Sequence, residues 1–168
     1  MILNVAQGTH AVSTDPEAVI TTVLGSCVAA CLFDAGAGLG GMNHFLLPES
    51  TAHSSRNVIY GAQAMELLIN DMMKKGAHKE RMRAKLFGGA RMVDGLSDIG
   101  AANAAFALQF LEDEGIPCIA ASLGGKNARR LRFWPTTGRA TQKCFATTAP
   151  AVARPAPAPV YTFQFTQF

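Results

Sequence analysis

The chain has 168 residues, of which 49% are apolar and 16% charged, and its formal net charge is +3. This composition predicts one globular domain with a hydrophobic core. The mild charge, without a run of Lys or Arg, gives no argument for a nucleic-acid or membrane-surface partner. No apolar run approaches the roughly 18–20 residues that a membrane helix needs, and no signal peptide is recognisable, so we expect a cytoplasmic protein.

The first predicted elements are strands. Residues 1–7 read as a short strand, and residues 19–33 are rich in β-branched and apolar side chains, with an interruption at 25–26. The glycine-containing segment 35–38 predicts a turn, and 39–47 a returning strand. Together these segments predict a β-hairpin.

Two amphipathic or apolar segments of helical length follow. Residues 56–75 carry apolar side chains three or four positions apart, which predicts a helix with one buried face. A possible strand at 83–87 precedes a second predicted helix over 99–114, which ends at a glycine. Residues 116–123 then read as a buried strand.

The C-terminal part predicts a second hairpin and a tail. The hairpin strands are 128–134 and 139–146, and the Ala/Pro-rich composition that follows indicates an extended linker. We therefore predict a domain over 1–147 and a linker with an aromatic tail over 148–168. The order of elements fits an α/β (α+β-like) sandwich with helices packed on a mostly antiparallel sheet.

Cys27 differs from the other cysteines because it directly follows a Gly-Ser pair. Free cysteine is most often a small buried hydrophobe, which suits Cys31 and the two later cysteines. Metal binding is disfavoured, since no second cysteine pair exists and the histidines are scattered. The bend before Cys27 could expose its thiol and leave the backbone N–H groups of Ser26 and Cys27 free to stabilise an oxyanion.

His44 is the candidate partner of that thiol. If the hairpin turns about 35–38, strict pairing sets Cys27 opposite Leu46, and His44 lies on the same sheet face, diagonal to Cys27. Diagonal neighbours are about 7–8 Å apart, within reach of an imidazole. A structural histidine is the ordinary interpretation. The shared face weakens that interpretation but leaves it open beside a catalytic pair.

Several motifs resemble one known family. They are LGSCVAACLFD, LGGMNHFLLPES, KLFGGARM, IGAANAAFALQFLEDEGIP and SLGGKNARRLRFWPTTGRA. The chain is similar over about residues 1–145 to CheD, the chemoreceptor glutamine deamidases of bacterial chemotaxis. The resemblance implies a three-layered α/β sandwich, similar to the catalytic domain of glutamine-deamidating toxins.

The resemblance also implies a site and a substrate. The family's nucleophile falls on Cys27, its histidine on His44, and its threonine on Thr21, although Thr22 beside it leaves that register open. The expected substrate is a glutamine on the cytoplasmic helices of methyl-accepting receptors, which becomes glutamate. No cofactor or metal is implied, and some members have a CheC-type phosphatase as a partner.

Other features carry less weight. Gly124-Gly125 lacks the remaining residues of a phosphate-binding loop. The resemblance makes this pair a turn beside the site or a substrate or partner surface, against the alternative of a simple turn between strands. Arg129 near this turn is a candidate for a substrate or partner surface, against the alternative of ordinary solvated surface. Two other functions stay open at this point: a non-catalytic chemotaxis adaptor that binds receptors or a phosphatase, and a different cysteine hydrolase.

Overall fold

The computed structural model describes residues 1–92, 98–146 and 164–168. Within these ranges the chain forms two five-stranded sheets and two long helices. The elements are β1 (Ile2–Asn4), β2 (His10–Ser13), β3 (Val19–Leu24), β4 (Val28–Asp34), β5 (Leu39–Asn43), α1 (Ser55–Lys74), a 3₁₀ turn (Lys79–Arg81), β6 (Arg83–Gly88), α2 (Ile99–Glu114), β7 (Cys118–Leu123), β8 (Ala128–Trp134), β9 (Arg139–Phe145) and β10 (Gln164–Gln167).

The two sheets are mostly antiparallel. The first has the order β1-β3-β8-β9-β10, and the second has the order β2-β5-β4-β6-β7. Each contains one parallel pair, β1 with β3 and β6 with β7. We call these the first and the second sheet below.

Three layers result, because the second sheet is covered on both faces. One apolar cluster fills the space between the two sheets, and a second lies between the second sheet and the helices. Strand β4 is central, and all seven of its residues are buried. That position explains why its sequence reads as an unbroken apolar run rather than an alternating one. The expected three-layered sandwich with a mostly antiparallel arrangement is confirmed.

The structure corrects the expectation that residues 19–33 form one hairpin strand. Strand β3 ends at Leu24 in the first sheet, and β4 begins at Val28 in the second. The Gly-Ser interruption is therefore the crossing between the sheets. The hairpin of β4 and β5 is confirmed, with Cys31 opposite Met42.

The turn of this hairpin is held by a buried carboxylate. Asp34 accepts hydrogen bonds from the Arg81 guanidinium and from the backbone N–H groups of Ala37 and His78. Burial alone would raise the pKa of Asp34, but these donors and the Arg81 charge lower it to about 2. The carboxylate therefore stays ionised and fixes the turn at neutral pH.

Both predicted helices are confirmed within a residue of their expected bounds. The Ser54 side chain caps α1 by accepting from the N–H of Asn57, and Asp98 caps α2 by accepting from the N–H of Ala101. Helix α2 ends at Gly115, whose φ of +68° is the left-handed conformation that glycine adopts without strain.

The end of the aromatic tail joins the first sheet. Strand β10 pairs antiparallel with β9, and the Phe168 ring packs edge-on against Phe87 with centroids 5.3 Å apart. The Ala/Pro-rich linker predicted over 149–159 lies outside the described residues. Among the helices of the described ranges, none is long and apolar enough to cross a membrane.

Candidate active site

Cys27 lies at the crossing between the sheets, with 8% of its surface exposed. Its side chain belongs to the apolar cluster that fills the space between the two sheets. Neighbouring segments hold its backbone, because the N–H of Gly89 donates to the Cys27 carbonyl at 2.8 Å and the Asn103 amide donates to the Ser26 carbonyl at 2.7 Å. The thiol therefore projects from a fixed bend rather than from a mobile loop.

Gly88 lets this bend approach β6 closely. Its φ is +112°, and a Cβ at this position would lie 2.1 Å from the carbonyl oxygen of Cys27. No side chain fits there, because both the backbone conformation and the contact exclude one. Gly88, the first glycine of KLFGGARM, thus has a steric role beside Cys27.

Asn103 connects the two halves of the site. It is fully buried on α2, its Nδ2 donates to the Ser26 carbonyl, and its Oδ1 accepts from the N–H of Leu47 at 2.9 Å. One side chain thereby joins the segment before Cys27 to the segment after His44. Asn103 is not among the site residues predicted from the sequence, although an asparagine on the apolar face of a helix is a recognisable signal.

His44 is oriented by a hydroxyl of the first sheet. Its Nδ1 lies 2.8 Å from the Thr22 Oγ1, and that hydroxyl donates its proton to the Val5 carbonyl at 2.7 Å. Since a hydroxyl has one proton to give, Thr22 accepts from His44, which places the imidazole proton on Nδ1. The lone pair of Nε2 is then available to take a proton.

Of the two threonines that the sequence left open, Thr22 bonds to His44 and Thr21 does not. The Thr21 hydroxyl donates instead to the Leu131 carbonyl at 2.7 Å. Side chains alternate along β3, and Ile20 and Leu24 point into the core, so Thr22 shares their face and Thr21 points the other way. This alternation was readable in VITTVL and is the signal that selects Thr22.

Cys27 and His44 lie diagonal to each other, as the sequence predicts. An isolated antiparallel bridge joins Val28 to Phe45, which continues the hairpin register. Both side chains reach the space between the sheets, Cys27 in its apolar cluster and His44 against Thr22. No hydrogen bond joins the two side chains directly, and within the described residues the sulfur instead donates to the Oε1 of Gln7 at 3.6 Å.

Burial keeps both groups neutral. It raises the pKa of the Cys27 thiol, an effect that the cysteine's own backbone N–H partly offsets. Burial also lowers the pKa of His44, and the Val5 carbonyl partly offsets this. At neutral pH the pair is therefore a thiol beside an uncharged imidazole, the arrangement that suits a nucleophile with a general base.

Two backbone donors at the bend make no hydrogen bond to another residue. Neither the N–H of Ser26 nor that of Cys27 bonds to a carbonyl or to another residue's side chain anywhere in the described ranges, and the Cys27 N–H faces its own sulfur. Free N–H groups beside a nucleophile can stabilise negative charge on a carbonyl oxygen under attack. The expected donors are thus available in the structure.

Arg129, a candidate for a substrate or partner surface in the sequence, is buried instead, and the glycine turn lies near the site. Arg129 is buried, and its guanidinium donates to the carbonyls of Ser122 and Gly124, so it holds the turn instead of offering a surface. The N–H of Gly124 donates to the carbonyl of Gly88 at 2.9 Å, and exposed Gly125 accepts from a neighbouring backbone N–H. The turn therefore supports the segment that clamps Cys27.

These features define a class of site: a buried cysteine, a histidine and a threonine assembled where two sheets of an α/β sandwich meet. Among the described residues, no group of three or more His, Cys, Asp or Glu side chains could hold a metal ion.

Comparisons with known proteins agree on one family. The model of the family described as CheD chemotactic sensory transduction matches residues 46–144. A protein of Caulobacter sp. (strain K31) named "Probable chemoreceptor glutamine deamidase CheD" is 58% identical over 93% of this chain and 85% of its own length. A protein of the same name from Acidiphilium cryptum (strain JF-5) is 54% identical over 92% of this chain and 84% of its own length. The chain belongs to the CheD family.

Among solved structures, the Bacillus licheniformis hypothetical protein YfiH matches with a TM-score of 0.46 and 16% identity, over 67% of this chain and 49% of its own.

Proposed function

We propose that this protein hydrolyses glutamine side chains of methyl-accepting chemotaxis receptors to glutamate in the cytoplasm, with Cys27 as the nucleophile. Family membership supports the substrate, since the relatives carry the name chemoreceptor glutamine deamidase. The observation that carries the chemistry is the hydrogen bond from His44 to Thr22, which leaves Nε2 of the histidine as a base on the face that Cys27 shares.

The first half of the reaction forms a thioester. His44 Nε2 takes the thiol proton, the sulfur attacks the side-chain carbonyl carbon of the glutamine, and the carbonyl oxygen becomes an oxyanion. The free N–H groups of Ser26 and Cys27 stabilise that oxyanion. The protonated His44 then gives its proton to the amide nitrogen, the carbon–nitrogen bond breaks, and ammonia leaves.

The second half restores the enzyme. Neutral His44 takes a proton from water, the resulting hydroxide attacks the thioester carbon, and the carbon–sulfur bond breaks. The proton returns to Cys27, and the product is a glutamate side chain. All atoms come from the glutamine and one water molecule, so the cycle needs no cofactor.

The test uses receptor cytoplasmic fragments, release of ammonia, and mass spectrometry for glutamine-to-glutamate shifts. We expect Cys27→Ala to lose at least about 1000-fold in activity, as removal of a nucleophile does. Cys31→Ala is the matched control, because it removes a second buried cysteine four positions away. Full activity of folded Cys27→Ala would disprove the nucleophile.

The second candidate is a non-catalytic adaptor that binds receptors or a CheC-type phosphatase. It predicts that Cys27→Ala and His44→Ala leave chemotactic behaviour unchanged. The buried histidine with a fixed tautomer favours catalysis, since an adaptor surface needs no such pair. Binding of the CheC-type phosphatase is compatible with both functions and is tested by co-purification with Cys27→Ala.

A further inference from the structure

Gln7 is an exposed residue whose side-chain amide contacts the candidate nucleophile. Its Oε1 lies 3.6 Å from the Cys27 sulfur, and within the described residues this is the one hydrogen bond that the Gln7 side chain makes. The family resemblance assigned it no role, and its distance of 20 positions from Cys27 hides the contact from sequence reasoning.

The backbone on both sides of Gln7 is fixed by the same groups that hold His44. On the N-terminal side, the Val5 carbonyl accepts from Thr22. On the C-terminal side, the N–H of Gly8 donates to the His44 carbonyl at 2.8 Å, and the N–H of His44 donates to the Thr9 carbonyl at 3.1 Å. A φ of +83° at Gly8 closes the turn. Gln7 is therefore presented to the thiol by a rigid turn.

The contact in the resting protein uses the oxygen of the Gln7 amide, whereas the reaction would need its NH₂ group. In the resting protein the thiol donates, so the amide oxygen faces the sulfur. Once Cys27 has attacked the glutamine of the substrate, negative charge develops on the substrate's carbonyl oxygen beside the Gln7 amide, and an amide oxygen there is repelled. The last dihedral angle of glutamine is broad and roughly two-fold, so the side chain can turn its NH₂ group to that charge at little cost.

We propose that Gln7 is a further catalytic residue, whose Nε2 donates to the oxyanion of the tetrahedral intermediate together with the backbone N–H groups at the bend. This inference rests on the proposed deamidation. Side-chain amides serve this purpose in other acyl-transfer sites, and they act best where charge develops in the transition state. The NH₂ group of Gln7 donates to no acceptor among the described residues, so it is free to donate to the oxyanion.

The test compares Gln7→Ala with Gln109→Ala, a matched truncation of an exposed glutamine on α2, away from Cys27 and His44. We expect Gln7→Ala to lower kcat about 100-fold, as loss of one oxyanion donor does, with KM changed less than about twofold. Alkylation of Cys27 by iodoacetamide should proceed at the wild-type rate in both variants, because that reaction forms no oxyanion. An unchanged or higher kcat in Gln7→Ala would overturn the proposal.

A binding measurement separates this inference from the proposed function. The probe is a receptor peptide in which an aldehyde replaces the side-chain amide of the target glutamine. The Cys27 thiol adds to the aldehyde and gives a tetrahedral adduct that cannot turn over. We expect Gln7→Ala to weaken its binding by a factor similar to the fall in kcat. Equal binding to Gln7→Ala and wild type would refute the role of Gln7, whereas failure of wild type to deamidate receptors would refute the proposed function alone.

A mass increase of about one unit at Gln7 in wild type, absent from Cys27→Ala, would also overturn the proposal, since Gln7 would then be a substrate.

Discussion

Two cysteines four residues apart lie in the same apolar cluster but on different kinds of backbone. Cys31 lies inside β4, is completely buried, and pairs across the hairpin with Met42. Cys27 lies where the backbone leaves one sheet for the other, beside the Gln7 amide and two N–H groups that bond to no other residue in the described ranges. The same side chain is thus a core residue in a regular strand and a candidate reagent at an irregular crossing. Reactivity here depends on the path of the backbone more than on the residue type.

The largest expected difference between the two cysteines is in their rates of alkylation by iodoacetamide. Cys31 reacts only after local unfolding, so we expect its rate to be at least about 1000-fold below that of Cys27 in the native protein. Burial raises the pKa of both thiols, so the rate at Cys27 should rise steadily as pH increases through 8 and 9, without a plateau near neutrality.

Peptide mapping after timed alkylation at several pH values checks this expectation. A Cys27 rate that is already maximal at pH 7 would show that Cys27 is a thiolate paired with a charged His44, and it would contradict the neutral pair.

Replacing Gly88 should displace Cys27 at the crossing between the sheets and lower activity, while the paired residues of strand β4 stay in place. In Gly88→Ala the new methyl group pushes on the Cys27 carbonyl, and a displacement of about 1 Å at a reacting group typically costs about 100-fold in rate. Gly76→Ala is a close control, because Gly76 has a φ of +110° and open space around its Cβ position. Both variants place alanine at nearly the same positive φ, so the difference in activity between them reports the contact with Cys27. Equal activities would mean that the close approach of β6 does not position the nucleophile.

The smallest of these effects is expected at the threonines. Thr22→Val removes the acceptor of the His44 Nδ1 proton at constant shape, and one such hydrogen bond is typically worth about tenfold in rate. Thr21→Val removes a bond to the Leu131 carbonyl, away from His44, and should leave kcat within about twofold. Steady-state kinetics on both variants decides between the two residues. A larger loss in Thr21→Val would restore the assignment made from the sequence.

The parts that the sequence could predict are those set by local pattern. The hairpin register followed from the turn at 35–38, and it brought His44 diagonal to Cys27. The helix bounds followed from spacing and from caps such as Asp98.

What the sequence could not provide depends on contacts between distant segments. The separation of β3 and β4 into two sheets was hidden because both strands are apolar and only two residues interrupt them. The contacts of Gln7 and Asn103 require the packing of the N-terminal turn and α2 around the bend. The role of Thr22 was only partly predictable. Strict alternation of side chains along β3 selects Thr22, whereas the family motif favoured Thr21.

Because the chain crosses between the sheets at Cys27, the geometry of the candidate site depends on how the two sheets are aligned. Thr22 belongs to the first sheet, His44 follows the last strand of the hairpin in the second, and Cys27 lies on the link between them. A small slide of one sheet over the other would separate the three groups while leaving every strand intact. Under mild denaturation, we therefore expect catalytic activity to fall before far-ultraviolet circular dichroism records any loss of secondary structure.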